Sequence, residues 1–223
     1  MNIKQIFISD RNKYTQLLLV LLLVFIAYAF FSKVIIVDII ISLVFLAAII
    51  TIIRIVSQSR KSFYLYLIFG GLAFIADISY LSSSISQLNY PLALFADITY
   101  AIFFVLAIAI LLHRIFSEQN VSLDTIIGGI TVFILIGDLW FIFYQTVYLF
   151  DPHAFSDSVN SFGLLYFSFT TLTTVGYGDI SPVVPMAQVL ANLEGIVGVM
   201  FPAIFIGRLI GVYNPKAKDE KAI

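Results

Sequence analysis

Two glycines, a tyrosine and an aspartate stand between apolar runs in Thr173-Thr174-Val175-Gly176-Tyr177-Gly178-Asp179. These residue types suit one kind of chemistry, the coordination of a dehydrated cation by oxygen. Gly176 and Gly178 can enter backbone conformations closed to residues with a Cβ. Successive carbonyls can then point to one side instead of alternating as they do in a strand. The Thr174 hydroxyl adds a further oxygen at the inner end. Closing rings of oxygen needs several such strands around an axis, so a single chain supplies only a part.

The stretch Thr174-Val175-Gly176-Tyr177-Gly178 resembles the selectivity filter of tetrameric potassium channels. Upstream, Tyr166-Phe167-Ser168-Phe169-Thr170-Thr171-Leu172-Thr173 is similar to that family's pore helix. Downstream, Asp179-Ile180-Ser181-Pro182 is similar to the filter's outer mouth. Gly198 falls where many members carry a hinge glycine on the inner helix. The resemblance spans roughly residues 125 to 210 and its motif is highly specific. It implies potassium ions bound by the carbonyls of Thr174, Val175, Gly176 and Tyr177, with Gly178 completing the strand. It also implies a homotetramer, since one chain supplies one filter strand, and potassium as permeant ion with no cofactor.

Composition agrees with a membrane setting. Of 223 residues, 61% are hydrophobic and 11% charged, with a mean hydropathy of +1.05, which excludes an ordinary soluble domain. The absence of cysteine excludes a disulfide framework and a thiolate metal site. His113 and His153 are too far apart in sequence to suggest a ligand set. A net charge of −1 and the lack of a basic tract argue against nucleic acid as a partner.

The positioning elements follow in order. Residues 1–14 are polar and basic, and apolar runs cover about 15–32, 34–56, 62–82, 91–112, 125–150 and 185–210. Each suffices for a helix across a core of about 30 Å, whereas the re-entrant 161–178 is too short. Ala27-Tyr28-Ala29 invites a signal-peptide reading, but with Met1 at the start of the chain the first run is kept as a span. All basic residues except Lys33 fall on the inner side if both termini are cytoplasmic, which sets the orientation in the cell membrane. The expectation is an all-α membrane protein of six transmembrane helices plus a pore helix and filter loop. A four-helix front domain (15–112) joins a pore domain (125–210) through a cytoplasmic linker (113–124), and a short tail (211–223) leaves no room for a soluble ligand domain. Arg54, Arg60 and Lys61 suggest an inner loop resting on anionic lipid headgroups.

Within the pore domain, the C-terminal end of the pore helix directs a negative dipole end at the axis. Tyr166, Phe167 and Phe169 are expected to pack around the filter, with Thr170 supporting it and Asp179 held by hydrogen bonds at the mouth. On the inner helix, Gly195 and Gly198 reduce stiffness and Pro202 invites a kink. Helical spacing suggests a pore-facing strip of Gly198, Pro202, Ile206 and Leu209 or Ile210, with Ile206 as a constriction.

Five carboxylates lie inside apolar runs: Asp38, Asp77, Asp97, Asp138 and Glu194. An ionisable group there is costly and is a functional hypothesis by default. Asp38, Asp77 and Asp97 share a depth of roughly 8–10 Å below the outer surface. They form either an outward site for protons or divalent cations or a set of neutral, hydrogen-bonded carboxyls. Asp138 and Glu194 are expected to brace the filter from behind. The fourth run, Pro91 to Leu112, carries no Lys or Arg, so a voltage sensor of the usual kind is not expected. Gly176-Tyr177-Gly178-Asp179 also fits the GxGD pattern of intramembrane aspartyl proteases, with Asp138 as second acid and Pro202-Ala203-Ile204 near their Pro-Ala-Leu. Gly137 before Asp138 and the prolines Pro182 and Pro185 depart from that family. A third class is an accessory subunit whose filter does not conduct.

Overall fold

A computed structural model describes residues 13–30, 43, 46–48, 50, 60–82, 86–117, 121–156 and 158–212. Among them the helices are α1 (Lys13–Phe30), α2 (Arg60–Ser82), α3 (Ser86–Ser117), α4 (Leu123–Phe150), α5 (Ser161–Leu172) and α6 (Pro185–Val212). No strand occurs among the described residues, only one bridge between Phe155 and Pro182. Among the described residues three helices are long and apolar enough to cross a membrane: Tyr90–Ser117 of α3, then α4 and α6. Most of the apolar run 34–56 lies outside the described residues, although Leu43, Leu46–Ala48 and Ile50 are helical.

Helix ends follow local chemistry. The fourth apolar run ends at Leu112 in the sequence, but α3 continues through Ser117. Polar side chains do not end a helix, and Arg114 in the last turn suits the negative end of the dipole. The connector therefore shrinks. It ends at Ser122, whose hydroxyl accepts from the Thr125 amide while the Ser122 amide donates to the Thr125 hydroxyl, both at 3.1 Å. Asp124 in the first turn of α4 adds a favourable charge near the positive dipole end.

Helix α4 is the hub, packing against α1, α3, α5 and α6. One core runs from Leu17 and Leu21 of α1 through Phe104 and Leu111 of α3 to Leu135 and Ile142 of α4 and Leu164 of α5. In lipid, apolar contact between helices gains little over contact with acyl chains, so close approach and hydrogen bonds carry the association. Small residues permit that approach: Ala73 and Ala76 of α2, and Ala93, Ala96 and Ala107 of α3, are buried. On α4, the Phe205 ring occupies the space a Cβ on Gly129 would need, and the Phe169 ring does the same at Gly137.

Among the described residues, polar links join α3 to α4 and α6. The Thr146 hydroxyl of α4 bonds the buried Asp97 carboxyl of α3 at 3.0 Å. Near the other end of α3, Arg208 of α6 donates to the Phe116 carbonyl at 2.9 Å. Thr146→Val should remove one donor from the buried Asp97 carboxyl and cost about 1 kcal/mol. The expected result is a lower thermal midpoint in detergent for Thr146→Val and little change for Thr146→Ser.

Candidate ion-conduction site

The site begins at α5. Asn160 caps this helix, its side-chain oxygen accepting from the Gly163 amide at 2.8 Å. The helix stops at Leu172, and the chain turns back over its last carbonyls. The Thr170 carbonyl accepts the amides of Val175 at 2.9 Å and Gly176 at 3.1 Å, and the Thr171 carbonyl accepts Thr174 at 3.0 Å. Carbonyls that a helix end leaves unsatisfied are thus filled by the following strand.

Every second residue of this strand has positive φ: Thr174 at 60°, Gly176 at 53° and Gly178 at 80°. Such alternation sends amides to one side and carbonyls to the other. Two amides turn to Thr170, and among the described residues the carbonyls of this strand accept no backbone amide. The glycines adopt this geometry freely. Thr174 does not, and left-handed backbone there costs roughly 1–3 kcal/mol, paid where surrounding contacts hold it. Sequence reasoning assigned the backbone freedom to the glycines and missed Thr174; a β-branched residue gives no signal for positive φ.

Residues 173–179 are exposed in the single chain, Val175 at 50% and Tyr177 at 72%. Tyr177 stacks parallel on Tyr166 with ring centroids 6.3 Å apart. The Tyr166 hydroxyl donates to Asp179 Oδ2 at 2.8 Å, tying the outer end of the strand to the same helix. Of the three aromatic residues expected around the filter, Tyr166 reaches it. Phe167 packs edge-on against Tyr144 and Phe155, and Phe169 fills the notch at Gly137, so both hold α5 to the outer helix instead.

Residues 129–213 match the family model described as an ion channel. The match supports ion-channel activity for the stretch from α4 to α6, and with the long apolar helices it supports a membrane protein. No curated protein and no solved structure matched the chain.

Behind this channel-like strand lies a buried polar cluster. Glu194 of α6 is 0% exposed; its Oε2 accepts from the Tyr144 hydroxyl of α4 at 2.5 Å, and its Oε1 lies 2.6 Å from the Ser168 hydroxyl of α5. Ser168 also reaches the Gly137 carbonyl at 2.8 Å. Sequence reasoning did not single out Ser168 and Tyr144, although Gly137 and Tyr144, seven positions apart, fall on one helix face. It suggests a similar bracing position for Asp138. That residue is buried, but its Oδ2 has no hydrogen-bond partner among the described residues. Asp97 engages Thr146, while Asp38 and the Asp77 side chain lie outside the described residues. No group of three His, Cys, Asp or Glu suited to a metal occurs among the described residues.

The expected strip on α6 separates into two faces. Gly198 is buried against α5, where a Cβ would collide with the Leu172 carbonyl, whereas Ile206 is exposed. Eight residues at 3.6 per turn rotate a side chain by about 80°, so these two cannot share a narrow face. Pro202 lies within the helix, which continues to Val212. Gly198→Ala should therefore cost about 1–3 kcal/mol through overpacking against backbone. Gly195 has open space where a methyl would sit, and should tolerate Ala with unchanged or slightly raised stability. Thermal unfolding of both variants in detergent checks the contrast.

Proposed function

We propose that the chain is one subunit of a homotetrameric, potassium-selective channel for passive transport across the cell membrane. The observation that carries this reading is the strand Thr174–Gly178, its φ alternating and its amides at Val175 and Gly176 tied back to Thr170. Four such strands around an axis would present rings of carbonyl oxygen from Thr174, Val175, Gly176 and Tyr177, with the Thr174 hydroxyl at the inner end. Those oxygens would replace the ion's water. The exposed apolar face of α6, including Met186, Val189, Ile196 and Val199, supports assembly with further copies. Lipid would cover the outer faces of the front helices, and both termini would be cytoplasmic.

Gating is read as not conventionally voltage-driven, because α3 carries no Lys or Arg before Arg114. A charge that moves through 100 mV supplies about 2.3 kcal/mol, and this segment offers no positive charge within the apolar stretch. Gly198, Pro202 and Ile206 remain the hinge and constriction of this reading. The bond from Thr146 favours a structural role for Asp97 over an outward proton or divalent-cation site. A proteolytic dyad would need Asp138 and Asp179 to share a proton, yet Asp179 is exposed and engaged by Tyr166 while Asp138 is buried on α4.

The test is flux from liposomes loaded with potassium or sodium, at external pH 5 and 8. We expect strong preference for potassium, with its dependence on external pH unaltered by Asp97→Asn. Equal flux of the two ions would overturn the reading.

A further inference from the structure

The polar cluster behind the filter contains more hydrogen bonds than its hydroxyls can supply. Three contacts connect four groups: Tyr144 to Glu194 Oε2 at 2.5 Å, Ser168 to Glu194 Oε1 at 2.6 Å, and Ser168 to the Gly137 carbonyl at 2.8 Å. Each hydroxyl has one proton, and a carbonyl has none. Two protons cannot fill three bonds. Sharing the Ser168 proton between two acceptors would weaken and lengthen both contacts, yet neither exceeds the usual O–H···O distance. The missing donor is a proton on Glu194 itself. Its Oε1–H then donates to Ser168, Ser168 donates to Gly137, and Tyr144 donates to Oε2.

We propose, resting on the potassium-channel reading, that Glu194 acts as a neutral carboxylic acid whose proton is the third donor of a seam joining α4, α5 and α6 behind the filter. Glu194 is thus a positioning residue, and the filter's geometry depends on that proton. On the helices that supply its partners no cation stands near to stabilise a carboxylate: α4 and α5 carry no Lys, Arg or His, and Arg208 on α6 lies about 21 Å along the helix. The titratable neighbours are Tyr144, which donates to Glu194, and Asp138, one position beyond Gly137 on α4. On α5, the Tyr166 hydroxyl is turned to Asp179. When the proton leaves, Ser168 can serve Gly137 or Glu194 but not both. Ser168 stands two positions before Thr170, whose carbonyl holds the amides of Val175 and Gly176. One turn along α6, Gly198 lies against the Leu172 carbonyl, so a shift of α6 has no slack in which to be absorbed.

The experiment uses the full chain in liposomes, with infrared difference spectra and potassium and sodium flux measured from neutral to alkaline pH. At neutral pH the wild type should show the carbonyl stretch of a protonated carboxyl that Glu194→Gln lacks, and Asp138→Asn should retain it. Raising the pH on both sides should remove this band and lower the preference for potassium roughly tenfold. Glu194→Gln should keep its preference throughout, because its amide can donate to Ser168 and its carbonyl can accept from Tyr144. If that variant fails to assemble, Ser168→Ala serves: it removes the acceptor of the Glu194 proton, so the wild-type band must shift. A spectrum without a Glu194-dependent protonated band overturns the proposal, as does an alkaline loss of preference that is equal in Glu194→Gln. Absence of potassium preference in the wild type would overturn the channel reading and leave the infrared result to decide the proton separately.

Discussion

A backbone that offers its carbonyls to an ion cannot also pair them within the protein. The strand Thr174–Gly178 would meet this constraint by handing its amides to the end of α5, with Val175 and Gly176 sharing the Thr170 carbonyl. That arrangement places the burden on α5. Its start is capped by Asn160, its middle is set into α4 through Phe169 at Gly137, and its far end carries the strand. Tyr166 reaches across to Asp179 and holds the outer end of the same strand. Displacing α5 by a fraction of a bond length would therefore move every oxygen in the proposed ring.

The membrane explains how the rest of the chain supports that helix. Lipid competes well for apolar side chains, so shape and polar links must fix helix positions. Glycines at 129, 137 and 198 admit a ring or a carbonyl where a methyl would collide. Hydroxyl-to-carboxyl contacts, Thr146 with Asp97 and both Tyr144 and Ser168 with Glu194, join helices that apolar packing alone would leave free to slide. The buried acids at 97 and 194 thus serve helix positions. Tyr144 and Thr146 stand two positions apart on α4 and point about 200° from each other, so the two clusters are tied to opposite faces of one helix.

Much of this was legible from residue order. Local chemistry shaped the features that needed only neighbours along the chain: the apolar runs, the positive-φ glycines 176 and 178 and the short helix α5. Gly176 and Gly178 announce their conformations because few other residues adopt them. The absence of Lys and Arg from Pro91 to Leu112 likewise argues, without any geometry, against a sensor that moves positive charge.

Other features depend on which face meets which, and that is a long-range property. Gly198 reads in one dimension as a flexible point, yet its neighbour is the Leu172 carbonyl, twenty-six positions away in sequence. Glu194 and Asp138 look alike as intramembrane acids, but only folding gives one of them Tyr144 and Ser168 as partners and leaves an oxygen of the other without one among the described residues. Thr174 takes positive φ because the amides on either side are anchored to α5, a cost no local preference would accept. Residue types thus name the groups able to bind an ion or hold a proton. Their pairing waits for helices to pack, since hydrogen bonds depend on distances that spacing along a chain does not set.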